Sequence, residues 1–299
     1  MEYTLKNKEL AVKISSHGGE IRSVIDRVSG REYIWQGNPD IWDEHSPLLF
    51  PFCGRLKNAE FSYRGKVYPM GIHGFLKETE LPDGTQEADT LTFVLTETDE
   101  TLAHYPFAFR LTLCYRLDGR TLSLFATVEN TGACELPFAF GGHPGLAIRM
   151  EKGDIACGTT VRFDGDASGA EIYPLVNAVF TSKTGESFPV PTEGISLDNA
   201  LFDRHKTLIL KEVPKTATLS QTDGLSVSIT RSESLPFFCL WKSTAEGASY
   251  VCLEPWSGTP NDGVADEALE ERPRMCRLPA GGRENFAFSL TFCDGVAKR

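Results

Sequence analysis

Strict alternation between Phe107 and Val128 constrains this chain more than any other feature. Phe107, Phe109, Leu111, Leu113, Tyr115 and Leu117 occupy every second position, with Arg110, Thr112 and Arg116 between them. A period of two belongs to a strand, whose successive side chains point to opposite faces, so the run predicts a strand buried on one side. Asp118-Gly119 tolerates the left-handed backbone of a tight hairpin, and Leu122, Leu124, Ala126 and Val128 then resume the alternation. Two long antiparallel strands sharing one buried face follow.

The same grammar recurs near the C-terminus. Leu219 leads into Asp223-Gly224, after which Leu225, Val227 and Ile229 alternate, and Phe286, Phe288, Leu290 and Phe292 give a last strand with an aromatic-rich face. Shorter strands are predicted over Tyr33 to Trp35, Phe61 to Tyr68 with a turn at Arg64-Gly65, Leu91 to Leu95, Leu208 to Lys211 and Phe237 to Trp241. Helical pattern is confined to a turn or two over Asp266 to Glu271 and a short turn over Asn38 to Glu44. With no βαβ rhythm, no G-x-G-x-x-G and no G-x-x-x-x-G-K-S/T, dinucleotide-binding and P-loop folds are disfavoured. No internal repeat, low-complexity tract or Pro/Gly/Ser linker marks a boundary. The expectation is an all-β fold, a large antiparallel sandwich spanning residues 1–299 as a single domain.

The net charge of −11, from 41 acidic and 30 basic residues, repels nucleic acid and anionic lipid at long range. No run of five basic residues offsets it. The eight cysteines include no C-x-x-C pair, so zinc-knuckle and thioredoxin-like readings are poor, and most are expected to be reduced, small buried hydrophobes. The opening MEYTLKNKEL has no apolar signal core, and no stretch approaches the ~18 apolar residues of a membrane span. The expected setting is the cytoplasm, and the expected partner is a small molecule rather than nucleic acid or a membrane. The chain is expected as a monomer or weak homodimer.

Residues suited to chemistry collect in the long connections, where all-β scaffolds carry their binding groups. In Ala139-Phe140-Gly141-Gly142-His143-Pro144-Gly145, two glycines before the histidine and Pro-Gly after it give a path that a plain strand does not need. His143 is either a turn cap or an acid–base group. In Val251-Cys252-Leu253-Glu254-Pro255-Trp256 a glutamate closes an apolar strand, held by the proline. Burial beside an indole raises such a carboxyl toward a pKa useful for proton transfer, whereas the plainer reading is a surface acid beside a packing tryptophan. His73 in Gly71-Ile72-His73-Gly74-Phe75 and Arg55 in Phe50-Pro51-Phe52-Cys53-Gly54-Arg55 suit hydrogen-bond donation to substrate oxygens. Arg55 stays protonated, which limits it to an orienting or electrostatic role. His17, His45, His104 and His205 have weaker claims. No H-E-x-x-H or other compact ligand spacing occurs, so no metal is expected, and without G-x-S-x-G there is no serine-catalysis signal.

Taken together, Gly18-Gly19-Glu20, Phe50 to Arg55, His73-Gly74-Phe75, Gly141 to Gly145 and Cys252 to Gly258 with Asp262 resemble the aldose 1-epimerase (galactose mutarotase-like) family. The nearest flavour is its short LacX-like bacterial branch, which is also similar to hexose-6-phosphate mutarotases. The resemblance covers most of the chain in the expected order and implies a β-supersandwich with an active site in a broad open cleft. It implies His143 as general acid, Glu254 as general base, and His73 and Arg55 as substrate-orienting groups. Three departures stand out. His143 is followed by Pro144-Gly145 where galactose mutarotases proper place an aromatic-rich run, and Gly54 to Asn58 is shorter than their arginine segment. Their hydroxyl-binding aspartate has no clean match, leaving Asp198 and Asp203, which flank Leu201-Phe202, as candidates. Trp256 either packs on the apolar face of a pyranose or serves the core.

In the family's chemistry the base takes the C1 hydroxyl proton while the acid protonates the ring oxygen. The C1–O5 bond breaks, the open-chain aldehyde rotates about C1–C2, and reversed transfers close the opposite anomer. The reaction implies no cofactor. One alternative is a mutarotase for a phosphorylated hexose, with Arg55, Lys57, Arg64 and Lys77 as phosphate candidates. Another is a non-catalytic carbohydrate-binding sandwich, which aromatic residues spaced along an exposed sheet would favour.

Overall fold

A computed structural model describes residues 1–177, 179–262 and 268–295. The predicted hairpin is present: Phe109–Asp118 pairs with Thr121–Asn130, and Asp118 stands opposite Thr121. The two turn residues are therefore Gly119 and Arg120, one position later than expected, and Gly119 supplies the positive φ that the tight reversal requires. Thr121–Asn130 pairs on its other edge with Arg283–Asp294, which pairs in turn with Leu225–Arg231. The result is a nine-stranded antiparallel sheet whose alternating leucines and phenylalanines, Leu111, Leu124, Phe288 and Leu290 among them, are buried.

A second, eight-stranded sheet runs through Phe237–Trp241, Tyr250–Trp256 and Gly141–Gly142 to the edge strand Leu48–Leu49. Gly145–Ala147 also pairs with Tyr250–Trp256. Alternation along Tyr250–Trp256 sends Val251 and Leu253 into the same hydrophobic core as Phe286 and Phe288 of the first sheet. Tyr250, Cys252, Glu254 and Trp256 point the other way. A three-stranded sheet of Glu2–Lys6, Leu10–Ser15 and Ile21–Asp26 joins that core through Leu5, Val12 and Val24. The architecture is all-β and antiparallel, matching a β-supersandwich.

Several local expectations need correction. Glu254 lies inside its strand rather than at the end, because both neighbours keep pairing past it: Phe238 stands opposite Pro255, and Gly141 opposite Trp256. Asn38 to Glu44 forms one closed turn, with Trp42 N–H donating to the Asn38 carbonyl at 2.7 Å and no helix beyond it. Two short helices escaped the periodicity, Asp99–His104 and Asn199–His205, each too brief to display it. Of the segment Asp266 to Glu271, Asp266 and Glu267 lie outside the described residues, as does Gly263. All eight cysteines are free thiols, yet only Cys53, Cys239 and Cys252 are fully buried.

Candidate active site

The site is built by a register. Gly141 stands opposite Trp256, and Gly145 stands opposite Cys252, so the antiparallel pairing is the same on both sides of the break. Continuing it through the break sets His143 directly opposite Glu254. His143 and Glu254 form a non-hydrogen-bonded pair of this ladder: the His143 N–H bonds the Pro47 carbonyl on the other side at 3.0 Å, while the Pro144 carbonyl still accepts from Leu253 N–H at 3.4 Å. Directly opposed residues of a non-hydrogen-bonded pair carry their side chains close together on one face, and His143 Nε2 lies 3.2 Å from Glu254 Oε2. Glycine is needed at position 141, because a Cβ there would sit 2.7 Å from the Trp256 ring and 3.0 Å from the Pro255 carbonyl oxygen.

Both groups are buried, His143 at 6% and Glu254 at 1% exposure. Burial disfavours whichever form is charged, and it pushes the two in opposite directions. Glu254 is driven well above the usual carboxylate range, with only a small counter-effect from the Trp256 indole. His143 falls to about 3, through burial and, more weakly, the positive charge of Lys77. Among the described residues, His143 Nδ1, Glu254 Oε2 and Trp256 Nε1 have no hydrogen-bond partner. Buried polar atoms left unpaired cost about 1–3 kcal/mol each, and these three belong to residues that line one cavity.

Glu254 is otherwise surrounded by sulfur. Cys239 is its cross-strand partner, Cys252 lies two residues earlier on the same face, and Cys53 is buried in the cluster that also holds Cys239 and Trp256. Burial pushes the Cys239 and Cys252 thiols well up, which keeps them protonated and rules them out as ready nucleophiles. Thiols are weak donors, so they do little to favour the carboxylate form.

His73 is held from three directions. Its N–H donates to the Gly54 carbonyl at 2.9 Å, its carbonyl accepts from Phe50 N–H at 3.2 Å, and its Nδ1 accepts from Gly54 N–H at 3.0 Å. These bonds fix a positive φ of 67°, unusual for a residue other than glycine. They also fix the tautomer: with Nδ1 accepting, the ring proton belongs on Nε2. Burial lowers the His73 pKa well below its ordinary value, reinforced by the neighbouring His143 and by the positive charges of Lys77 and Arg55, so the ring stays neutral. His73 is thus a fixed donor and a poor acid.

Around these groups opens a cavity of about 470 Å³, lined by His73, His143, Glu254, Trp256, Arg55 and Lys77 among others. Trp42 and Trp241 form its aromatic wall, with ring centroids 5.2 and 5.5 Å from that of His143. Trp256 meets His73 edge-on at 5.7 Å. A larger cavity, about 700 Å³, shares Ile72 and Lys77 with the first and includes His104, but neither His143 nor Glu254 reaches it.

The sequence-derived residues His143, Glu254, His73, Arg55 and Trp256 therefore line one cavity. Asp198 and Asp203 do not. Asp198 caps the helix Asn199–His205, its carboxylate accepting from Leu201 N–H at 2.7 Å, and Asp203 is 64% exposed on that helix. Besides Glu254, the acids at the cavity are Asp43 and Glu44, neither of which the sequence singled out. Glu44 accepts from Trp42 Nε1 at 2.9 Å and pairs with Lys77 at 2.6 Å. Glu20, from the early Gly-Gly-Glu segment, is a brace: its carboxylate accepts from the N–H groups of His45 and Ser46 and so anchors the approach to Leu48–Leu49.

Comparison with known proteins supplies the family and the fold. A family model described as aldose 1-epimerase matches residues 1–291. The plasmid and chromosomal LacX proteins of Lactococcus lactis subsp. lactis are each 26% identical over 287 residues, 93% of this chain and 95% of theirs. A galactose mutarotase related enzyme from Lactobacillus acidophilus is 31% identical with a TM-score of 0.89, covering 98% of this chain and 97% of that one. A galactose mutarotase-like protein from Lactobacillus casei ATCC 334 shares the fold with a TM-score of 0.91 at 24% identity, covering 98% and 100%. The family match runs nearly from end to end, and the chain belongs to the aldose 1-epimerase family.

Proposed function

We propose that this protein is a mutarotase of a free aldohexose, with His143 as general acid and Glu254 as general base. The observation that carries the reading is the 3.2 Å separation of His143 Nε2 and Glu254 Oε2 on a cavity wall. The two oxygens that exchange protons in mutarotation, the C1 hydroxyl and the ring oxygen, are bonded to the same carbon. They lie closer together than a hydrogen-bond length, so their acid and base must also be neighbours. The sugar then presents one edge to the pair rather than lying between its members.

The pair works with one exchangeable proton. The state with imidazolium beside carboxylate carries the same net charge as the neutral pair, so moving the proton within the site leaves the buried charge balance unchanged. In the charged arrangement Glu254 takes the C1 hydroxyl proton while His143 gives its proton to the ring oxygen. Once the aldehyde has turned, the reverse transfers close the other anomer and restore both groups. His73 Nε2–H and the Arg55 guanidinium donate to sugar hydroxyls, and Trp42, Trp241 and Trp256 offer apolar faces to the ring. The 26% identity to the LacX proteins supports placing the chain near that branch.

A second reading, an aldose 6-phosphate, is favoured by Arg55 and Lys206 at the same cavity, both exposed. Lys77 adds little to it, being neutralised by Glu44 and Glu78 at 2.6 and 2.5 Å. Polarimetry of freshly dissolved α-D-glucose, α-D-galactose and α-D-glucose 6-phosphate tests both readings. Faster loss of rotation on a free sugar supports the first, a preference for the phosphate ester supports the second, and buffer-only rates on all three reject mutarotation of these sugars.

A further inference from the structure

We propose that His143, Cys252 and Glu254 form a capture site for a thiophilic divalent cation, with Zn²⁺ as its representative, and that occupancy blocks the acid–base pair. The three residues offer one ligand atom each, nitrogen, sulfur and oxygen, and these atoms lie within 4.8 Å of one another. Tetrahedral Zn²⁺ with bonds of about 2.0–2.3 Å places its ligands roughly 3.3–3.6 Å apart. The His143 Nε2 to Glu254 Oε2 edge, at 3.2 Å, already has that length. Closing the cysteine edges requires a shift of about 1 Å, within reach of side-chain rotation.

Three further features favour the site. Glu254 Oε2 is buried without a hydrogen-bond partner, so coordination costs that oxygen only its 3.2 Å approach to His143 Nε2. Cys252 and Glu254 alternate onto the same face of Tyr250–Trp256, and His143 stands opposite Glu254 in register, so the three donors share one side of the sheet. Thiolate, carboxylate and neutral imidazole together balance a dication, making the filled site neutral in a buried setting. The thiol and carboxyl protons leave to solvent as the ion enters from the cavity that His143 and Glu254 line. Nothing in mutarotation needs this ion; it competes for both proton-transfer groups. The inhibitory consequence rests on the mutarotase reading, whereas the binding does not.

Metal-free protein carrying Cys157→Ala and Cys293→Ala, which removes the two exposed thiols, provides the test. Titration with Co²⁺ is expected to raise the near-ultraviolet charge-transfer absorption of a cobalt–thiolate bond, and Zn²⁺ is expected to abolish it. Adding Cys252→Ala should remove the band, and His143→Asn should weaken Co²⁺ binding at least about tenfold, since losing a direct ligand costs no less than losing an outer-shell partner. In polarimetry, Zn²⁺ should inhibit the parent protein at concentrations that leave the Cys252→Ala variant active. Absence of the band in the parent, or an equal band in both proteins, overturns the site. A band without inhibition in an active enzyme overturns the blocking role, and a band in a protein with no mutarotase activity removes the functional reading while the site stands. Cys252→Ser, closer in size, is expected to weaken the band in the same sense and covers a poorly folding alanine variant.

Discussion

In the nine-stranded sheet the central strands run 10, 10 and 12 residues and alternate between buried and less buried positions along their length. In the eight-stranded sheet the central strand Tyr250–Trp256 is buried at all seven positions, and the segments meeting it at the cavity are two and three residues long. The first arrangement maximises ladder pairing and apolar burial. The second forgoes the ladder donors that Pro144 and Pro255 lack and buries two ionisable groups, an arrangement that costs stability and leaves unpaired polar atoms. One sheet holds the molecule together and the other holds a reactive pair in a fixed register. Stability and turnover should therefore respond to substitutions in different places.

The sharpest way to break that division is His143→Asn. Removing a positioned proton donor is expected to lower turnover by ~10²–10⁴-fold while the melting temperature holds or rises, as read by polarimetry and circular dichroism on the same sample. A variant that melts early, or one that keeps wild-type rates, would erase the distinction between the two sheets. Leu124→Ala in the other sheet is the mirror experiment. Leu124 is 1% exposed and stands between Tyr115 and Phe288 on the neighbouring strands. The substitution should cost ~2–5 kcal/mol in urea unfolding, with kcat per folded molecule near wild type.

A smaller effect concerns pH. His143 is held neutral, its pKa down at about 3, so its contribution to stability is complete above its unfolded value of ~6.5 and is lost as pH falls toward 3. Glu254 is raised instead, so its contribution is present below its unfolded value of ~4.3 and is lost as pH climbs toward the folded one. Melting temperatures of wild type and Glu254→Gln, compared across pH 4 to 8, should diverge in favour of the variant as pH rises. Parallel curves would mean that the carboxyl is solvated in the folded state.

Legibility in the sequence follows the same line between sheets. The hairpin was readable because Phe109 to Val128 repeats one rule over many residues, and its turn was misplaced by only one position. Individual site residues were readable from odd local company, such as His143 among Gly-Gly and Pro-Gly. Their arrangement was not. Paired segments of two or three residues carry no periodicity, so nothing in the chain announced that Gly141 pairs with Trp256 and that Glu254 lies within its strand rather than at its tip. Asp198 was a plausible ligand by type, but a carboxylate serving as a helix cap has the same sequence appearance as one serving a sugar. Trp241 ends a predicted strand and Trp42 falls in the predicted short turn Asn38 to Glu44, so the aromatic wall is visible as residues without being visible as a wall.

The central claim is that a glutamate placed opposite a histidine by one unbroken register takes the proton that opens a sugar ring. Its most direct measurement is the optical rotation of fresh α-D-glucose and α-D-galactose with purified Glu254→Gln, alongside wild type at equal folded concentration. The account expects the wild type to accelerate the change in rotation for at least one of these sugars and the variant to run ~10²–10⁴-fold slower with an unchanged circular dichroism spectrum. A correctly folded variant that still equilibrates the anomers at the wild-type rate would contradict it.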